Sequence, residues 1–95
     1  MTKNKFMKIL KFGAVWCPGC IVMKPIWKEV EDEMPELKTE YFDIDENPEA
    51  AKKYEVTEEV PMFIFLDENG DEFARKKGQI SKQELVAFIK ENESK

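Results

Sequence analysis

Trp16-Cys17-Pro18-Gly19-Cys20 holds both cysteines of a 95-residue chain, three positions apart. The stretch follows an apolar run ending near Val15 and opens a segment that reads as a helix from Pro18 onward. A thiol in the first turn of a helix sits at the positive end of the backbone dipole, beside N–H groups with no partner inside the helix. Both features favour the thiolate, which is the nucleophilic form. A thiol three residues later faces the same side of the helix. It is placed to attack a mixed disulfide formed at the first, so the spacing points to dithiol–disulfide exchange. A bridge across so small a loop removes little unfolded-state entropy and is a poor staple. With no histidine and no third cysteine, a zinc site lacks its usual nitrogen and sulfur ligands, and no metal or other cofactor is expected.

Upstream, residues 5–12 combine apolar residues with spaced lysines and read as a strand, with Phe6, Ile9, Leu10 and Phe12 supplying the burial. Downstream, Met23, Ile26, Trp27, Val30 and Met34 fall on one face of a helix over 18–34. Pro25 interrupts its hydrogen bonding and predicts a kink, and Pro35 blocks continuation. The acidic residues Glu29, Glu31, Asp32, Glu33 and Glu36 read as a solvated helix face. A strand follows over 38–44. Asn47-Pro48-Glu49 then reads as a helix start, with Asn47 as the cap. The connection over 55–60 leads into Pro61.

Met62-Phe63-Ile64-Phe65-Leu66 is the most continuous apolar run and fits a central strand buried on both faces. Asp67-Glu68-Asn69-Gly70 is a hairpin turn, and the polar residues 72–77 fit an edge strand ended by Gly78. Ser81-Lys82-Gln83-Glu84 is a capping box for a last helix that turns Leu85, Phe88 and Ile89 inward, with 91–95 expected to fray. The order is β-α-β-α-β-β-α: an α/β chain with a mixed four-stranded sheet and helices on both faces.

The composition fits one domain, residues 1–95. The chain is 42% apolar, and its 20 acids against 15 bases give a formal charge of −5. That balance gives no electrostatic reason to bind nucleic acid or an anionic membrane. No apolar run is long enough to span a bilayer, and the N-terminus carries no clear processing signature. The expectation is a cytoplasmic monomer.

The β-α-β-α-β-β-α order with Trp-Cys-x-x-Cys after the first strand resembles the thioredoxin family, from about residue 8 to residue 92. Trp16 precedes the first cysteine, and Pro25, five residues after Cys20, matches the kinking proline. Phe-Asp-Ile-Asp-Glu-Asn-Pro at 42–48 resembles the end of the family's second strand, and Gly70 and Gly78 match its hairpin glycines. Val60-Pro61 resembles the X-Pro pair before the third strand. An X–Pro bond is trans by default, and only the resemblance implies cis here. It further implies sheet order 2-1-3-4, Cys17 and Cys20 as the catalytic pair, and Trp16, Pro18, Gly19, Val60 and Pro61 as the substrate-binding rim.

The chain departs from the family pattern at several points. It lacks the N-terminal strand and helix of a standard thioredoxin, and Pro-Gly between the cysteines reverses the usual Gly-Pro. Lys11 replaces a buried aspartate that assists proton transfer, which makes Lys11 either a proton or thiolate modulator or a lysine whose head reaches solvent. Gly13 and Met62 replace a common tryptophan and threonine. Glu58 and Glu59 stand on the rim.

The resulting expectation is a protein-disulfide reductase working through a Cys17/Cys20 relay, with Cys17 the more exposed thiol. Its partners would be disulfide-containing substrate proteins and a reductase or dithiol donor. The alternatives are a non-enzymatic peptide-binding module and a disulfide-forming oxidase.

Overall fold

The computed structural model of the protein describes residues 8–93. Phe6 and the start of the expected first strand lie outside the described residues. The elements are β1 (Lys8–Gly13), α1 (Pro18–Glu33), β2 (Lys38–Asp43), α2 (Pro48–Lys53), β3 (Met62–Leu66), β4 (Glu72–Lys77) and α3 (Lys82–Glu93). The sheet order is β2-β1-β3-β4. β1 runs parallel to β2 and antiparallel to β3, and β3 and β4 form the hairpin.

The period-2 alternation of side chains divides the core in two. Ile9, Phe63 and Phe65 point to one face, where Met23, Trp27 and Val30 of α1, Met34 at its C-cap, and Leu85 and Ile89 of α3 cover them. Leu10, Phe12, Met62, Ile64 and Leu66 point to the other, against Ala51 of α2 and Val56. All five residues of β3 are buried, which is why that strand reads as one unbroken apolar run. Phe42 stacks on Phe12 at 5.2 Å, joining the edge strand β2 to the second face.

Local chemistry sets the ends of the elements. α1 continues through Pro25 without interruption. Gly70 takes φ +84° in the hairpin turn, where the Asp67 carboxylate accepts from the N–H groups of Asn69 and Asp71. Ser81 Oγ accepts from Glu84 N at 3.1 Å, the N-cap half of the expected capping box. α3 extends to Glu93, and Asn92 Nδ2 donates to Phe88 O in its last turn; residues 94–95 of the stretch expected to fray lie outside the described residues.

Two expectations about side chains are corrected. Asn47 makes no side-chain cap to α2. Its amide donates back to Asp43 O, while the Asp43 carboxylate accepts from the N–H groups of Asp45 and Glu46. The residue that organises the turn is therefore the last one of β2. The acidic face of α1 is also not merely solvated. Glu29 and Glu33 clasp Lys82 of α3, and Glu31 reaches down to β1 and β2, because those strands and α3 bring cations and a hydroxyl within range.

Candidate active site

The Cys17 backbone is extended, with φ −93° and ψ 111°, and forms the N-cap of α1 with Pro18 in the first turn. Proline costs nothing there, since its missing N–H would have no helical partner. Cys17 N donates to Ala14 O, and Cys20 N donates to Cys17 Sγ at 3.2 Å. The two cysteines are thus brought together at the helix tip, both as free thiols.

The expected order of exposure is reversed. Cys17 is 4% exposed, whereas Cys20 is half-buried. The reason lies in the wall beside Cys20. A cleft of about 620 Å³ opens there, lined by Lys11, Gly13, Cys20, Trp27, Tyr41 and Phe63 among others. Gly13 leaves that wall without a side chain. On the other side of the tip the chain closes in. A Cβ on Gly19 would lie 3.1 Å from Pro61 Cδ and 3.4 Å from Gln79 Cγ, so only glycine fits that approach comfortably.

Burial is the main cause that pushes the Cys20 thiol up to about 11, followed by its hydrogen bond to Cys17; a backbone hydrogen bond with Ala14 opposes them. The Asp43 carboxylate adds a smaller upward push. The contribution of Cys17 disappears once its sulfur is tied into a disulfide, which eases loss of the Cys20 proton at the moment Cys20 must attack.

The Val60–Pro61 peptide bond is cis. Pro61 is buried against the helix tip, and Gly78 N donates to Pro61 O at 2.8 Å. Val60 is half-buried, and its N–H is engaged by Glu58 O at 3.0 Å. Glu58 and Glu59 are exposed on this rim, and Glu59 ion-pairs with Lys77 at 3.6 Å. Trp16 is 52% exposed, and its indole N–H donates to Asp45 at 2.8 Å. Pro18 is exposed beside it. With Val15, Ile21 and Val22, Trp16 forms an exposed apolar rim around the helix tip.

Lys11 is ion-paired and lines the same cleft as Cys20. Its ammonium donates to Glu31 at 2.6 Å, lies over the Trp27 ring at 5.3 Å, and its side chain is 16% exposed. Glu31 also accepts from Thr39 Oγ1 at 2.9 Å. The cation is thus held by Glu31 and largely shielded from solvent.

Tyr41 is a residue of this site that sequence reasoning missed. β1–β2 register sets Tyr41 opposite Lys11 and Asp43 opposite Gly13, on the face of the cysteines. A glycine diagonal to an aromatic residue on the neighbouring strand was the available signal, but it needed that register to be read.

A family profile described as Thioredoxin matches residues 1–91. The thioredoxin of Acidithiobacillus ferridurans is 34% identical over 82 residues, covering 85% of this chain and 74% of that protein. The thioredoxin of Pseudomonas aeruginosa is 34% identical over 85 residues, covering 88% and 77%. The X-ray structure of Fasciola hepatica thioredoxin superposes with a TM-score of 0.82 at 32% identity, over 90% of this chain and 80% of that one. Sequence profile, relatives and fold agree, and the chain belongs to the thioredoxin family of thiol–disulfide oxidoreductases.

Proposed function

We propose that the protein reduces disulfides in other proteins through a two-cysteine relay. The Cys17 thiolate attacks one sulfur of a substrate disulfide and releases the other as a thiolate. The Cys20 thiolate then attacks Cys17 Sγ, which forms the Cys17–Cys20 disulfide and releases the second substrate thiolate. Two electrons pass to the substrate, and a dithiol donor or a reductase restores the pair. The observation that carries this reading is the placement of Cys17 as the N-cap of α1, with Cys20 N–H directed at its sulfur. The exposed apolar rim of Val15, Trp16, Ile21 and Val22 supports a protein as the substrate, since such patches mark contact surfaces.

Cys17→Ser is expected to abolish insulin-type disulfide reduction, with dithiothreitol as the donor. Full activity in that variant overturns the assignment. A reduction potential near that of reducing members of the class, about −270 mV, fits a reductase, and one near −120 mV fits an oxidase.

A further inference from the structure

Gly13 has no side chain, and two polar atoms crowd the place where one would stand. A Cβ at this position would lie 3.0 Å from the Tyr41 hydroxyl and 3.1 Å from Cys20 Sγ. Both contacts are too tight for a methyl group to fit without displacing a neighbour, so the hydroxyl and the sulfur both close on the bare face of Gly13. Catalytic hydrogen bonds often form or tighten only in the reacting complex.

We propose that the Tyr41 hydroxyl is a positioning group for the second step, donating a hydrogen bond to the Cys20 thiolate as it forms and attacks Cys17. The proposal rests on the Cys17/Cys20 relay. Tyr41 suits the task because it keeps its proton. Partial burial of this half-exposed side chain, then the Asp43 carboxylate and the two cysteines, raise its pKa above the ordinary value, so at neutral pH it is a donor and not a base. The thiol proton leaves by the cleft, and the phenol returns unchanged.

Few other groups are available for this task. From α1, Cys17 faces Cys20 and is the sulfur under attack. Lys24 and Glu31 also line the cleft from α1, and Glu31 is held by Lys11 and Thr39. Farther out, Lys28 and Asp32 pair with each other. From β1 comes Lys11, committed to Glu31. From β2 comes Asp43, whose charge opposes a thiolate. From β3, Phe63 adds no charge.

The test uses the full chain. In a Cys17→Ala background Cys20 is the sole thiol, and its ionisation is followed by thiolate absorbance near 240 nm. Adding Tyr41→Phe is expected to raise the Cys20 midpoint by at least half a pH unit. In protein with both cysteines, Tyr41→Phe is expected to slow resolution of a preformed mixed disulfide by about threefold or more, since half a unit is about 0.7 kcal/mol. Initial attack by Cys17 is expected to change less than resolution. Gly13→Ala, which pushes the hydroxyl from the sulfur, is expected to act in the same direction. An unchanged Cys20 midpoint in Tyr41→Phe overturns the proposal, as does equal slowing of both steps. Failure of the relay itself is separate: it shows as Cys20→Ser forming no mixed disulfide, whatever residue stands at 41.

Discussion

The Cys20 thiol is pushed from its ordinary 9.0 to about 11, and the causes fix how it responds to change. Its hydrogen bond to Cys17 and the Cys17 charge both raise it, so Cys17→Ala is expected to lower the Cys20 midpoint, read by thiolate absorbance. The folded state holds this proton more tightly than the unfolded chain, so the stabilisation is complete below pH 9 and is lost as pH rises toward 11. Denaturant unfolding of the reduced protein is expected to show that decline. Lys11 supplies a second test. Glu31→Ala leaves a mostly buried ammonium with its main partner gone, at a cost of about 1–3 kcal/mol. Glu29→Ala, whose cation is more exposed and keeps Glu33, is expected to cost well under 1 kcal/mol. Urea midpoints separate the two. At this scale the sequence revealed the residue types of the site but not their partners. Lys11 stood out as an anomaly, yet nothing local indicated that Glu31, twenty positions on, would claim its charge.

Elements were legible where their signals are local. β3 and β4 fall at the residues their composition indicates, because apolar continuity and the Asn69-Gly70 turn mark them without outside help. Ser81→Ala is expected to cost about 1 kcal/mol by removing the N-cap of α3, measured as a shift in the urea midpoint. The end of α2 was not legible. Glu55 has φ 58°, while Glu55 N bonds Lys52 O and Val56 N bonds Ala51 O. That is a Schellman stop with glutamate where glycine is favoured. Its left-handed backbone costs a residue with a Cβ about 1 kcal/mol. Glu55→Gly is therefore expected to raise stability by a few tenths to 1 kcal/mol, and a lower unfolding midpoint would contradict this.

The whole molecule depends on β3, which both faces of the sheet use. Phe65 is fully buried and meets Phe88 at 4.8 Å. Phe65→Ala is expected to cost about 3–5 kcal/mol, a large share of the 5–15 kcal/mol that holds a typical domain together. Sheet order and the cis bond at Val60–Pro61 were reachable only through the family resemblance, since both depend on contacts between distant parts of the chain. The reversed exposure of the cysteines was not reachable at all. It arises where Gly13, Tyr41 and Lys11 border one cleft, and no single stretch of sequence contains that cleft. This reversal makes the division of labour between the two sulfurs the point to test. Cys17→Ser and Cys20→Ser are each incubated with a disulfide-bonded protein substrate, and the trapped adducts are resolved on non-reducing gels and by mass. The relay predicts a stable mixed disulfide on Cys17 in Cys20→Ser and none in Cys17→Ser; an adduct that accumulates on Cys20 in Cys17→Ser, with none in Cys20→Ser, contradicts it.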